Sequence, residues 1–173
     1  MAETTNPEGT VLRGGDVEVV KLELWSSQHK HKFDLSNIWK NISIYEDIET
    51  NYIRGEVTIS DSKNVLMDVP IITNEKLIVE FKTPSHPDSY KFVALVTEIT
   101  NQITIRQGMQ VYVIRFVSPE FSRNQKFKFS KAYNDMLISD MVVDIYDNYI
   151  RDVSGKTINI VPTKDTWNRV IPT

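Results

Sequence analysis

The chain contains no cysteine. That excludes a disulfide framework, a thiolate metal site and a cysteine nucleophile, and it fits a reducing compartment. It is also poor in residues that break or loosen a chain. Six glycines and seven prolines in 173 residues exclude a collagen-like or linker-like polymer. No apolar run approaches the roughly 20 residues a membrane-spanning helix needs. There is no excess of positive charge: 20 basic against 23 acidic residues give a net charge of −3, which argues against a broad nucleic-acid-binding surface. Strong helix formers are scarce, with 8 Leu and 3 Ala.

What is abundant is β-branched: 19 Ile, 18 Val and 14 Thr. Such side chains are stiff at χ1 and pack well on a pleated surface, so the chain is expected to be mainly β. The length fits one ordinary domain with an additional short element, enough to bury a core without staples. The first residues, 1–16, are polar with Pro7, Gly9, Gly14 and Gly15. They read as a flexible segment without the basic start and apolar stretch of a signal peptide, and the expectation is a protein made and kept in a cytoplasm.

Alternation marks the strands. Val20, Leu22 and Leu24 share a side; so do Ile42 and Ile44, Val57 and Ile59, and Leu77, Val79 and Phe81. Tyr90 to Ile105 is a long β run, expected to bend near Asn101-Gln102. Met109–Val117 is apolar on both faces, as in a central strand. Asp61-Ser62-Lys63-Asn64, Thr83–Ser89 and Arg106-Gln107-Gly108 are turns. After Pro119 a serine N-cap at Ser139 and the stripe Ile138, Val142, Ile145, Tyr149 predict a helix over 139–150. Asp140, Asp144 and Asp147 fall on its opposite, solvated face, and Gly155 ends it. Thr157–Val161 reads as a short strand and Trp167–Thr173 as a connector. The succession predicts an antiparallel β-barrel over 17–130 followed by one amphipathic helix and a connector over 131–173.

Motifs for chemistry are weak. Gly155-Lys156-Thr157 lacks the earlier glycine of a phosphate-binding loop, since position 150 is Ile, and a helix precedes it instead of a strand. His29 and His31 could share one face of a strand and a metal, but no third ligand accompanies them, and His86 sits in another loop. Glu46, Asp47 and Glu49 read as a solvated turn. Lys126-Phe127-Lys128-Phe129 with Lys131 could present a lysine row and a phenylalanine row to single-stranded nucleic acid; the plainer reading is an edge strand with Phe inward. No Gly-x-Ser-x-Gly or His-Glu-x-x-His pattern occurs, and with three histidines bases are few. The residues therefore predict a non-enzymatic β module with no catalytic, cofactor-binding or metal site.

The strings Ile42-Ser43-Ile44-Tyr45-Glu46, Gly55-Glu56-Val57-Thr58-Ile59-Ser60-Asp61-Ser62-Lys63-Asn64, Asn74–Phe81 and Leu137–Tyr146 resemble the baseplate hub proteins of contractile-tailed phages. The resemblance spans roughly 35–173. The hub fold is similar to the base of type VI secretion spikes and, more distantly, to tail-tube subunits. The resemblance implies a structural virion protein of the tail baseplate that links the central spike to the tail tube. It implies a ring with threefold symmetry, with itself, the tail-tube protein, the spike and other baseplate proteins as partners. Nucleic acid is not the main partner, and no membrane insertion is implied. Assembly would take place in the host cytoplasm. Such hubs continue into a second barrel after a segment like Val161-Pro162 to Thr173. Here that barrel would belong to a longer chain or to another polypeptide. A β-barrel module binding single-stranded nucleic acid is the alternative.

Overall fold

The computed structural model describes residues 16–26, 31–63, 65–68, 75–84 and 86–172. They divide into two units: one runs up to Glu46 and resumes over Ile53–Val117, the other joins Asp47–Tyr52 to the residues from Ser118 onward.

The first unit is the barrel sheet. Its strands are β1 (Glu18–Trp25), β2 (Lys32–Asp34), β3 (Trp39–Tyr45), β4 (Arg54–Asp61), β5 (Lys76–Lys82), β6 (Tyr90–Arg106) and β7 (Met109–Val117), with a one-turn helix, α1 (Val65–Asp68), after β4. All seven pair antiparallel in the order β2-β1-β5-β6-β7-β4-β3. The mainly β expectation and the curled antiparallel sheet agree. β2 and β3 lie at opposite margins of the sheet, yet only residues 35–38 separate them in sequence. That corner bonds to both sides: Leu35 N–H donates to Leu22 O at 2.8 Å, and Ser60 N–H donates to Ile38 O at 2.7 Å. The sheet must therefore curl until its margins meet at this corner.

Alternation places Leu22, Leu24, Val57, Ile59, Leu77, Val79, Ala94, Tyr112, Ile114 and Phe116 inside one core. At roughly 25 cal/mol per Å² of apolar area, burial on this scale is the dominant stabilising term. One position demands glycine. A Cβ on Gly55 would collide with the Phe116 ring and with the Ser43 carbonyl of the neighbouring strand. β7 is central, between β6 and β4, with Val111, Val113 and Val117 half-buried on its other side. β6 bends where expected. Register shifts between Thr100 and Ile103, and Asn101 takes a left-handed φ of 54°, a conformation asparagine tolerates.

The sheet's last strand ends at Val117, so residues 118–130, assigned by sequence to a barrel over 17–130, fall in the second unit. That unit contains α2 (Pro119–Lys126), β8 (Lys131–Leu137), α3 (Ile138–Ile145), a π-helical turn (Tyr146–Ile150), α4 (Arg151–Ser154) and β9 (Thr166–Ile171). β8 and β9 form an antiparallel ribbon. The connector read at 167–173 is thus largely a strand, and the strand read at 157–161 is irregular. Pairing across the intervening helices is not visible in local alternation.

The helix over 139–150 exists, but its start and its inward face differ from expectation. Leu137 is the N-cap, and Ser139 lies inside the first turn, where it and Thr163 exchange backbone-to-hydroxyl bonds of 3.3 Å in both directions. Of the expected buried stripe, Ile138 and Val142 are exposed and Ile145 and Tyr149 are half-buried, while Ser139 and Met141 are buried. On another side of the helix, Lys131 Nζ and the Tyr133 hydroxyl of β8 reach Asp144 at 2.6 and 2.7 Å, so Asp144 is half-buried and bonded instead of freely solvated. Gly155 ends the helical run with a φ of 62°, as its C-cap reading requires.

Candidate functional site

The residues considered for chemistry do not converge. His29 lies outside the described residues; His31 and His86 are exposed, and His86 Nδ1 accepts from the Asp88 N–H at 3.3 Å. Asp47 caps its own turn through the Glu49 N–H at 2.9 Å. Asp147 pairs with Arg151 at 2.7 Å, Asp144 is held by β8, and Asp140 faces solvent. Among the described residues no three acidic or histidine side chains are placed to hold a metal.

The Lys-Phe alternation is not a strand. Lys126 closes α2 and residues 127–130 are irregular. Phe127 lies beneath the Arg123 guanidinium at 3.9 Å, and Phe129 stacks on Tyr149 with ring centres 4.3 Å apart and planes 13° from parallel. Lys131 is committed to Asp144. A base would find the Tyr149 side of Phe129 occupied, and there is no aligned lysine row. The helix propensity of Pro119–Lys126 outweighs the alternation that follows it.

Two polar clusters escaped the sequence reading because their members are far apart in the chain. Inside the sheet, the Tyr112 hydroxyl donates to Asp61 Oδ2 at 3.4 Å, while Asp61 Oδ1 accepts the Lys63 N–H at 2.8 Å. Burial, then the Asp61 charge, pushes the Tyr112 hydroxyl far above its ordinary value, so it stays protonated. In the second unit, Glu120 Oε1 accepts from Ser154 Oγ at 2.5 Å and pairs with Lys156 Nζ at 3.1 Å. Burial raises the Glu120 carboxyl, but hydrogen bonds from Ser154, Ser118, its own N–H and Lys156 outweigh that and hold it below its usual value. Tyr133 is pushed up to about 12 by desolvation and by its bond to Asp144. Asp144 is held low by Lys131, then by Tyr133. These three arrangements tie backbone and helices together.

On the outer face of the sheet, Arg115 bridges Glu98 at 2.7 Å and Glu56 at 3.8 Å, beside a shallow cleft that includes Tyr45, Arg54 and Gly55. The charges there satisfy one another. What remains unsatisfied is apolar. The far half of β6 and its turn, residues 101–108, is exposed at every position, with Ile103 61% and Ile105 59% accessible. On α3, Ile138, Val142 and Val143 are exposed. On β9, Trp167 and Val170 are exposed. The candidate functional feature is therefore a set of exposed apolar side chains on β6, α3 and β9.

No family model matches the chain, and no curated protein matches it. Among solved structures, the chain is similar to the lidded Francisella PdpA-VgrG complex (TM-score 0.45, 13% identity, 90% of this chain and 23% of that one). It is similar to a lidless PdpA-VgrG complex (0.44, 17%, 75% and 24%) and to the half-lidded Francisella complex (0.43, 14%, 88% and 26%). The chain spans about a quarter of the length of those chains.

Proposed function

We propose that the protein is a structural subunit of a contractile-tail baseplate hub, a ring that links the central spike to the tail tube. One observation carries the reading: the β6–β7 arm holds two widely exposed isoleucines at 103 and 105 on a hydrogen-bonded hairpin. Apolar surface of this kind is what a ring subunit needs and what a solitary small protein avoids. The resemblance of the strings between Ile42 and Tyr146 to hub proteins supports a threefold arrangement with the tube on one side and the spike on the other. The subunit works without catalysis, metal or cofactor, and it resides in the virion tail after assembly in the host cytoplasm. Electron microscopy of particles lacking the gene tests this. Tails should be absent or should end without a baseplate; intact, DNA-ejecting tails with normal baseplates overturn the assignment.

A further inference from the structure

We propose that β9 pairs edge to edge with β9 of a second copy, antiparallel and about a two-fold axis at Asn168, so that Trp167 of each copy lies opposite Arg169 of the other. The inference goes beyond the ring-subunit reading and does not rest on it. A two-fold pair has no place inside a ring with the tube on one side and the spike on the other, so it describes free subunits.

β8 and β9 form a sheet of two strands, and such a ribbon is marginal in water until a third strand or a helix covers it. Its two strands are unequally protected. β8 is anchored on α3: Tyr133 is buried, and Lys131 and the Tyr133 hydroxyl both bond Asp144. β8 also carries the irregularity of the ribbon. Tyr133 pairs with Arg169 and Met136 with Trp167, so residues 134 and 135 stand against the single position 168, and Asp135 takes a left-handed φ of 48°. A bulge of this kind bends a strand and spoils its edge for further pairing. β9 has neither device. It is regular over Thr166–Ile171, with five of its six residues exposed, Trp167 and Val170 among them. Neither proline, lysine nor an acid guards it, and its one charge is Arg169. Its outer edge faces no strand among the described residues.

A second copy is the strand that fits this edge, because β9 complements itself. Facing residues of an antiparallel pair lie on one side of the sheet, so a two-fold axis passes through a residue position and never between two. An axis at Asn168 pairs five residues of each strand: Thr166 with Val170, Trp167 with Arg169, and Asn168 with its own copy. An axis at Arg169 also pairs five, but it sets guanidinium against guanidinium. An axis at Trp167 or Val170 pairs only three. Arg169 is available for the contact, since the ion pairs of this unit use other residues. Its guanidinium already lies over the Trp167 ring of its own strand at 5.0 Å, and the axis at Asn168 repeats that pairing across the interface twice. Main-chain hydrogen bonds and the Thr–Val pairs add to it and join the two ribbons into one four-stranded sheet. Both copies use the same surface, so the contact closes at two.

The chain has no cysteine, so a single introduced one reports the axis. With the axis at Asn168, the two copies of position 168 stand about 4.5–5.5 Å apart at Cα, within disulfide reach, whereas positions 169 and 170 are offset from their own copies along the strands and fall beyond it. On oxidation of the full chain, Asn168→Cys should form a disulfide dimer about 10-fold faster than Val170→Cys, which leaves Trp167 and Arg169 in place, and faster than Arg169→Cys, which reports the rival axis. Sedimentation equilibrium of the wild type should show monomer and dimer and nothing larger. Trp167→Ala should weaken dimerisation about 30-fold, with far-ultraviolet circular dichroism unchanged. Asn168→Asp keeps an oxygen for the Asp135 N–H but sets two carboxylates against each other across the axis, and should weaken dimerisation about 5-fold at low salt. Cross-linking of Val170→Cys or Arg169→Cys as fast as that of Asn168→Cys, a wild type monomeric at the highest concentration, or association that neither Trp167→Ala nor Asn168→Asp weakens overturns the proposal.

Discussion

The two units are held together by different forces. In the sheet, side chains such as Leu22, Val57, Leu77 and Ile114 have no accessible surface at all, and every strand contributes to one continuous core. In the second unit only Tyr133 and Met141 are buried among the larger apolar side chains. Its elements are joined by polar ties: Asp144 to Lys131 and Tyr133, Glu120 to Ser154 and Lys156, Ser139 to Thr163. Hydrophobic burial is insensitive to pH and scales with area, whereas polar ties depend on charge state and geometry. The first unit is built as a stiff platform. The second is built from contacts that small chemical changes can loosen, and it leaves apolar faces uncovered.

The comparison can be broken most directly at Phe116. Phe116→Ala opens a cavity in the sheet core and should cost about 3–5 kcal/mol in denaturant unfolding; a loss below about 1 kcal/mol would show that the core does not govern this unit. Gly55→Ala should cost about 1–3 kcal/mol, because the added methyl meets backbone on one side and the Phe116 ring on the other. Gly155→Ala should cost about 1 kcal/mol through its left-handed backbone alone, since nothing crowds its Cβ.

Acid acts on the ties of the second unit and, in the sheet, on the β1–β2 margin, where hydrogen bonds from Trp25 and Ser36 hold Glu23 and Asp34 below their usual values. The carboxyls of Asp144 and Glu120 sit below their usual values in the folded chain. Their contribution is present above the unfolded carboxylate values near pH 4 and is lost as pH falls through the depressed folded values. Protection of the amides of β8, α3 and α4 against exchange, relative to the intrinsic rate at each pH, should therefore fall in acid before that of β4 and β7, and Asp144→Asn should flatten this pH dependence. An equal loss of protection in β4 and β7 would erase the contrast. The smallest effect is at Val142. With 44% of its surface accessible, Val142→Asp should shift melting by no more than about 0.5 kcal/mol in stability; unfolding of this variant would return the residue to an interior face.

The sheet was readable because its signal is local. Leu22 and Leu24, Val57 and Ile59, and Tyr112, Ile114 and Phe116 alternate, and each alternation is realised in the core. The bend at Asn101 and the cap at Gly155 were likewise marked by residues that tolerate left-handed backbone. The face of α3 was not readable, because periodicity assumes that apolar residues turn inward. Here a lysine and a tyrosine on β8 bond an aspartate that the pattern assigned to the solvated face. The strand pair of β8 and β9 was missed for a related reason, its register being fixed across some thirty residues, as in the 2.8 Å bond from the Asp135 N–H to Asn168 Oδ1. The candidate site was legible only as surplus apolar sequence in Met109–Val117. The surface itself fell on the arm opposite that strand and on α3.

Tyr52 has a consequence for how the chain can fold and be cut. Its ring lies 4.4 Å from that of Phe121, and the segment Asp47–Tyr52 belongs to the second unit although β3 precedes it and β4 follows it. The second unit is therefore discontinuous in the polypeptide. A nascent chain leaves the ribosome with one piece of that unit already emitted and must hold it exposed through the synthesis of β4 to β7 before its partner arrives. A protease or a cloning boundary placed at Ser118 would likewise yield a fragment that lacks one of its own walls.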